Sequence, residues 1–144
     1  MASPILWSSA TSIQTVLASE LDGLVTNTST SASSTIDNRN GNPYADFEIF
    51  VTFASAPAAY GAIALMLAEL VDGSTSPTNV AQGQNIVWAG STETRAVTSA
   101  QRFVFRNVPL PPERFMVAAY NGADKNFIAS TNTVKMITYS EEAQ

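Results

Sequence analysis

Short segments of alternating apolar and polar residues, separated by turn signals, constrain the fold of this chain more than any other feature. In residues 46–53, DFEIFVTF, apolar side chains occupy every second position. Residues 102–108 alternate in the same way, with Phe103 and Phe105 on one face. A period of two residues is typical of a strand that is buried on one side. Further strands are predicted at residues 62–71, 86–89, 115–120, 125–129 and 133–139.

These segments predict a two-layered β protein. They recur roughly every ten residues, with Gly, Pro, Asn and Asp between them. Alternating strands and helices, which a Rossmann or TIM fold needs, are absent. We therefore predict an all-β chain, a jelly-roll-like β-sandwich of about seven to nine short strands.

Three local details follow from the same patterns. Residues 62–71, AIALMLAELV, are predicted to form a strand buried on both faces, because apolar residues fill both sides. Asn121-Gly122 predicts a tight turn, which Ala123-Asp124 would lengthen to a loop, before a returning strand at 125–129. The run at 109–112, PLPP, predicts a rigid connection between two strands, because proline fits neither a helix nor a central strand.

The N-terminal region is the least regular part of the sequence. Apolar residues spaced by three and four favour a short amphipathic helix capped by Ser12. These apolar residues are Ile13, Val16, Leu17, Leu21 and Leu24. A strand followed by a turn is an open alternative for the same segment. We expect residues 1–24 to form an arm that packs on its own domain or on a neighbour, and residues 25–141 to form the sandwich. The Ser/Thr-rich stretch at 25–36 is either an exposed edge strand or a flexible linker.

Composition excludes most catalytic chemistry. The 144 residues contain no His and no Cys, so Ser-His-Asp triads, thiolate nucleophiles, disulfides and zinc sites of the usual kinds are excluded. A chain of this length can form a stable hydrophobic core without disulfides or structural metal ions. Charged residues make up 13%, whereas about 25% is usual, and Ser and Thr fill 31 positions. We expect no cofactor and no enzymatic activity.

The charge balance argues against two classes of partner. Seven basic and 12 acidic residues give a net charge of −5. Nucleic-acid-binding proteins and membrane-surface proteins carry basic patches, so we expect neither nucleic acid nor membrane as a partner. A signal peptide begins with Lys or Arg, and none precedes Arg39, so we expect synthesis in a cytoplasm.

Two groups of polar residues are candidates for a catalytic or metal site. Asp46 and Glu48 point to one face of a strand, where a carboxylate pair could serve glycoside hydrolysis or bind Ca²⁺. Like charges on one strand are more typical of a solvated face. Residues 37–42, DNRNGN, are rich in oxygen ligands, but Arg39 stands where a ligand is needed, so we predict a turn.

The candidate interface consists of two groups. Arg102 and Arg106 share a strand face, while the neighbouring phenylalanines point into the core, which suits a surface or an interface better than stacking on nucleic acid. Ile5, Leu6 and Trp7 form an apolar cluster with little nearby to cover them. Interfaces deplete charge and enrich aromatic residues at their centres, so these five residues are the predicted contacts.

The order of several sequence pieces resembles that of small β-sandwich virion proteins of tailed bacteriophages. In those proteins a run like R-x-V-x-L-R-x-V-P-L-P-P-G-x-F joins two strands. Residues 106–115, RNVPLPPERF, fall on its last ten positions, with Glu113 in place of the usual Gly. The resemblance extends over roughly residues 5–141. Further matching pieces are residues 5–7, 19–24, 36–38, 44–46, 72–73 and 132–141.

This resemblance implies a structural role and offers no catalytic motif. It implies a capsid decoration (cement) protein on the virion surface, bound to the major capsid protein and assembled with itself, with a homotrimer expected. One alternative is a carbohydrate-binding module of a head or tail fibre that contacts the host through Trp88, Tyr60 or Tyr120. A weaker alternative is a glycoside hydrolase that uses Asp46 or Glu48.

Overall fold

The computed structural model of the chain describes residues 5–7, 10–39, 41–70 and 86–143, and this part is all-β, as predicted. One 3-10 turn, Ser19–Leu21, is the helical element of the described residues. The strands in chain order are β1 (Ile5–Trp7), β2 (Gln14–Leu17), β3 (Thr28–Ser29), β4 (Ile36–Asp37), β5 (Tyr44–Val51), β6 (Ala62–Leu70), β7 (Ile86–Glu93), β8 (Gln101–Pro109), β9 (Arg114–Gly122), β10 (Thr133–Tyr139) and β11 (Glu141–Ala143).

The strands form two antiparallel sheets with jelly-roll connections. The first sheet has the order β2-β10-β5-β8, and the second has the order β3-β9-β6-β7, with β4 also paired to β9. Between β2 and β10, only the β3–β4 and β6–β7 connections stay within one sheet; the others cross between sheets. This crossing pattern confirms the predicted jelly-roll-like sandwich. Strands β1 and β11 pair with each other in a separate two-stranded sheet.

The larger apolar cluster of the described residues lies between the two sheets. Alternate side chains of β5, such as Phe47 and Ile49, point inward and meet Leu65 of β6 and Val117 of β9 in one buried cluster. Burial of each large side chain contributes about 1.5–3 kcal/mol to folding. Residues 63–68 of β6 are all buried, so the prediction of a strand covered on both faces is confirmed.

The helix predicted near residues 13–24 is wrong. The chain forms the strand β2 and then the 3-10 turn. The apolar spacing does bring Leu17 and Leu21 into the core, but Leu17 arrives there by pairing with Val134 of β10. Helix propensity is a weak preference, and ladder hydrogen bonds to an existing strand outweigh it. Residues 14–24 therefore pack on the sandwich of the same chain.

The Ser/Thr-rich stretch is an edge strand in two pieces, β3 and β4, both on β9. Between them, side chains continue the ladder. The hydroxyl of Thr30 accepts from the amide of Ala119 at 3.1 Å, and the hydroxyl of Ser33 accepts from the amide of Val117 at 2.9 Å. Thr30 and Ser33 are buried although they are polar, because these bonds satisfy them.

The tight turn predicted at Asn121-Gly122 is wrong, and so is the strand predicted at 125–129. Strand β9 runs through Gly122, and in the following loop Phe127 forms an isolated bridge with Phe53. The buried amide of Asn121 instead closes the loop by donating to the carbonyl of Lys125 at 3.0 Å. A Cβ at Gly122 would lie 2.9 Å from the carbonyl oxygen of Ala62, so the glycine permits a close approach between strands.

Candidate functional site

The outward side of the first sheet carries a shallow groove of about 380 Å³. We call it the outer groove. It is lined by side chains from all four strands of this sheet or their ends: Ile13, Asp46, Glu48, Arg102, Val104, Arg106, Lys135 and Ile137. It brings together the predicted interface residues Arg102 and Arg106 with the candidate carboxylate pair Asp46 and Glu48.

The strand register places charged and apolar side chains in rows across the sheet. Glu48 lies between Lys135 of β10 and Val104 of β8, and Asp46 lies opposite Ile137. Directly opposed residues of antiparallel strands point to the same face, so each row mixes one carboxylate with a cation or an apolar group. The predicted alternation of β5 and β8 is confirmed, with their phenylalanines 47, 103 and 105 turned into the core.

Arg102 is held over the groove by two neighbours. Its Nη1 donates to both carboxylate oxygens of Glu48, at 2.8 and 2.9 Å. Its guanidinium carbon lies 4.9 Å from the ring centre of Phe50, a cation–π distance. An ion pair this exposed adds at most about 1 kcal/mol to stability. Its main effect is to fix the direction in which the guanidinium points.

Asp46 is held by a local irregularity of the sheet. The register between β5 and β8 shifts at Asp46, so that Arg106 and Asn107 lie opposite a single residue. Asn107 takes a left-handed conformation (φ 53°), and its amide donates to Oδ1 of Asp46 at 2.9 Å. Such bulges redirect side chains, and Asn tolerates this conformation better than most residues do. The bulge therefore orients Arg106 and Asn107 at the end of the groove.

Tyr139 lies beside Asp46 and Asn107, at one end of the outer groove. Its hydroxyl donates to Oδ1 of Asp46 at 3.0 Å and also contacts the side-chain oxygen of Asn107. Its ring stacks on Tyr44, with centroids 6.2 Å apart. Burial, followed by the hydrogen bond to Asp46 and the charge of Asp46, raises the pKa of the Tyr139 phenol above its ordinary value. Asp46 thus has donors from two sides.

The groove combines free positive charge with exposed apolar surface. Within the described residues, Arg106 and Lys135 form no ion pair. The side chains of Ile13 and Val104 are 69% and 51% exposed, which is unusual for large aliphatic residues. Three basic and two acidic residues give the groove a net charge of +1 in a chain of net −5. This arrangement suits adhesion to an acidic surface with apolar contacts.

The other sequence-predicted residues lie elsewhere. Ile5, Leu6 and Trp7 form β1, which pairs with β11, and their side chains fall outside the described part. Trp88 is 58% exposed on β7 and meets the ring of Tyr120 edge-on, with centroids 5.8 Å apart. Tyr60 lies in the loop between β5 and β6.

Residues 37–39 and 41–42 form a turn, as predicted, in which the amide of Gly41 donates to the carbonyl of Asn38 at 2.9 Å. Nε of Arg39 donates to Oδ1 of Asp37 at 2.9 Å, and this contact holds the pKa of the Asp37 carboxyl well below its usual range. Asn38 donates to the carbonyl oxygens of Asn42 and Pro111, at 2.8 and 2.7 Å. Among the residues that the structure describes, no group of three or more acidic side chains is arranged to hold a metal ion.

Sequence analysis did not single out several residues of the groove. Lys135 and Ile13 complete it from β10 and from the segment before β2, and Asn107 and Tyr139 anchor Asp46. The alternation of β10 does place Lys135, Ile137 and Tyr139 on one face. The order of strands in the sheet, which brings that face beside β5, is a long-range property that alternation does not encode.

Comparisons with known proteins place this chain in no family. No family model and no curated protein matches it. Among solved structures it is similar to the carbohydrate-binding module TmCBM61, solved with β-1,4-galactotriose, at 12% identity and a TM-score of 0.35 over 98% of this chain and 89% of that one. It is also similar to a chain of the Israeli acute paralysis virus full particle heated to 63 degrees, at 7% identity and a TM-score of 0.30 over 98% and 72%.

These similarities are too weak to carry an argument about function. The described residues include no helix with the length and hydrophobicity of a membrane span.

Proposed function

We propose that this protein is a non-enzymatic decoration (cement) protein of a phage capsid, which binds the outer shell through the outer groove. One observation supports this most directly. Exposed Val104 lies beside Arg106 and Lys135 on the strands of the sheet, exposed Ile13 lies just before β2, and the two cations form no ion pair with the described residues. Interfaces built on rigid elements lose little conformational entropy on binding.

The charge distribution indicates the chemistry of the partner. The groove carries +1, while the remainder of the chain carries −6. An acidic patch on the major capsid protein is attracted by the groove and repelled by most other surfaces of the molecule. Such complementarity orients the encounter and speeds association more than it raises affinity. The exposed aliphatic side chains then supply buried apolar area.

The N-terminal strand supplies a second contact in this proposal. An isolated two-stranded sheet is marginally stable in water, and its edges present unpaired backbone groups. The sheet of β1 and β11 is of this kind, and it carries the apolar residues Ile5, Leu6 and Trp7. We propose that it packs on a coat subunit or a neighbouring copy. Several modest contacts from each molecule, in a homotrimer and in many copies, then hold coat subunits together by multivalency.

Shell binding tests the proposal. The first measurement is the copy number of the protein in purified virions of the phage that encodes it, by quantitative mass spectrometry. The second is binding of the purified chain to shells stripped of it, for the wild type and for an Arg106→Ala, Lys135→Ala double variant. Binding should weaken in the double variant and with added salt, because both remove attraction to an acidic surface.

Arg95 provides a control for this experiment, matched in charge to the Arg106→Ala single variant, which is measured beside the double variant. It is exposed, it forms no ion pair within the described residues, and it lies outside the groove. Arg95→Ala removes one positive charge without touching the groove, so it should bind shells nearly as well as the wild type. Absence of the protein from virions would refute the proposal. Equal loss of binding in the Arg95 and groove variants would show that net charge, rather than the groove, governs adhesion.

A carbohydrate-binding module is the second candidate, and the exposure of Trp88 beside Tyr120 favours it. Exposed indole rings stack on sugar faces through their π-surface. A glycan array tests it: binding that disappears on Trp88→Ala but survives the groove double variant would replace the decoration proposal. Hydrolysis is less well supported, since Glu48 is engaged by Arg102 and Asp46 by Asn107 and Tyr139. Turnover of a glycoside that Asp46→Asn abolishes would reverse that judgement.

A further inference from the structure

Strand β8 is the longest edge strand in the described part of the chain. It has nine residues and pairs with β5 on one side, while no described strand pairs with its other side. The other edges are shorter or interrupted: β2 has four residues, β3 and β4 have two each, and β7 has a register shift. In an antiparallel strand, every second residue turns its backbone N–H and C=O away from the paired neighbour. Such a row of backbone groups is a template for a further strand.

The outward side chains of β8 form a row of cation, apolar group and cation along this open edge. Arg102, Val104 and Arg106 occupy every second position, line the outer groove and are exposed, Val104 to 51%. The residues between them, Phe103 and Phe105, are buried in the core. Pairing with β5 is regular over residues 101–105, and the register shift follows it. The row therefore stands on a regular part of the strand.

The carboxylates of the outer groove lie farther from the open edge than the arginines do. Asp46 and Glu48 belong to β5, on the side of β8 that is already paired. Neighbouring strands are about 4.8 Å apart, so a strand added to β8 would lie about 10 Å from β5. The charged residue of β7, Glu93, lies opposite Ala62 and points to the outer face of the second sheet. An incoming strand therefore meets the two arginines before it meets a carboxylate of the groove.

Both arginines have donors available for a partner. Arg102 donates to Glu48 through Nη1, and its Nη2 and Nε have no acceptor among the described residues. Arg106 forms no ion pair within the same residues. The ring of Phe50 lies 4.9 Å from the guanidinium carbon of Arg102, so this side chain is ordered before binding. A guanidinium binds a carboxylate through parallel N–H donors, which makes an acidic side chain the best match for each.

We propose that the open edge of β8 binds an extended acidic polypeptide segment, which adds to the first sheet as an antiparallel strand. Its outward residues follow the pattern acidic–x–apolar–x–acidic. The acidic residues lie opposite Arg102 and Arg106 and the apolar one opposite Val104, since directly opposed residues share a face. Backbone hydrogen bonds supply affinity, and the side-chain pattern supplies specificity. This inference rests on the proposed role of the outer groove as an interface and specifies what the groove recognises.

The same two arginines select against a second copy of this chain at the open edge. If two β8 strands paired antiparallel about Val104, Arg102 of each would lie opposite Arg106 of the other. Like charges that are directly opposed destabilise a strand pair, and charged side chains on edge strands commonly prevent such pairing. An acidic strand avoids this cost. The edge is therefore selective for charge as well as open to strand addition.

Binding of synthetic peptides to the full chain tests the inference. The probe is acetyl-TSETVTETS-amide, whose two glutamates and central valine share one face of a strand. The control, acetyl-TSTEEVTTS-amide, has the same composition and charge, but its adjacent glutamates point to opposite faces. The probe should bind about fivefold more tightly, because the control loses one of the two charged pairs. Hydrogen exchange should slow at alternate amides of β8, those that do not bond to β5, when the probe binds.

A charge exchange tests the register. Arg106→Glu should weaken binding of the probe about tenfold or more, because it replaces an attraction by a repulsion. The peptide acetyl-TSETVTKTS-amide, with lysine for one glutamate, should recover most of that loss. Arg95→Glu makes the same change of net charge outside the outer groove and should bind the probe as the wild type does. Both arginines are exposed, so folding should be retained, and the urea midpoint checks this.

Several outcomes would overturn the inference. Equal binding of probe and control, or binding that leaves the β8 amides unprotected, would exclude strand addition in this register. Equal losses in Arg95→Glu and Arg106→Glu would show that net charge alone governs binding. Protection of the same amides at high protein concentration without peptide would assign the edge to a second copy. Shell binding by a chain that binds no peptide would reject this inference alone, whereas probe binding by a protein absent from virions would reject the decoration proposal alone.

Discussion

Tyr139 and Asp46 share a hydrogen bond across two neighbouring strands, and this bond makes the free energy of unfolding depend on pH in the alkaline range. The phenol donates to Oδ1 of Asp46 at 3.0 Å, and its pKa in the folded protein lies above the ordinary value of 10.0. A group whose pKa is raised by folding favours the folded state below its unfolded pKa, and that contribution is lost as pH rises through the folded pKa. We therefore expect the free energy of unfolding to fall above about pH 10.

Urea titrations at several pH values measure this dependence. Tyr139→Phe removes the titrating group, so its free energy of unfolding should fall less steeply between neutral and strongly alkaline pH than that of the wild type. Tyr60→Phe removes a hydroxyl from an exposed ring and serves as the control, with the wild-type slope. A Tyr139→Phe variant with an unchanged alkaline slope would show that Tyr139 does not carry the effect.

Asn38 ties the turn before β5 to the proline-rich connection between β8 and β9. Its buried amide donates to the carbonyls of Asn42 and Pro111. Asn38→Ala leaves both acceptors without this donor and should destabilise the protein by about 1–3 kcal/mol in chemical denaturation. Asn42→Ala is the control, because the bond uses the backbone carbonyl of that residue and survives the change. Equal effects of the two changes would contradict this account.

Gly90 is required because Phe105 of the facing sheet occupies the space above it. A Cβ at residue 90 would lie 2.7 Å from Cδ1 of Phe105. Gly90→Ala should therefore cost about 1–3 kcal/mol through overpacking. Phe105→Leu in the same molecule should recover part of that cost, since the smaller side chain vacates the contact. A double-mutant cycle measures the coupling, and purely additive effects would argue against a direct clash.

The sequence predicted the architecture because the core strands alternate cleanly. The period of two in residues 46–53 and 102–108 matches the burial of Phe47 and Phe103 in the structure. The errors fall where local signals compete with long-range pairing. Leu17 and Leu21 have helical spacing, yet residues 14–17 pair with β10 and form an edge strand. Asn121-Gly122 has the composition of a tight turn, yet β9 continues through it along β6.

The candidate site was predictable only in part, for a related reason. Alternation placed Arg102 and Arg106 on the outside of β8 and Asp46 and Glu48 on the outside of β5. It could not show that β5 and β8 are neighbours, so the contact between Arg102 and Glu48 was not predicted. The bulge at Asn107 breaks the alternation at the position that determines how Asp46 is held. Register is set by packing across the sandwich rather than by any single segment.

The hydroxyls of Thr30 and Ser33 accept hydrogen bonds from β9 in place of backbone carbonyls, so removing either hydroxyl should destabilise the edge of β9 locally. Thr30→Val or Ser33→Ala leaves a buried amide, of Ala119 or Val117, with one partner fewer. Each change should cost about 1–3 kcal/mol, because the lost partner is not replaced by water. Hydrogen exchange should accelerate at Ala119 in the first variant and at Val117 in the second, and the opposite amide should change less. Ser31→Ala, at an exposed position between the same two strands, should change neither amide. Uniform acceleration over all of β9 in every variant would mean that the edge unfolds as a unit and that these two hydroxyls do not act as local ladder partners.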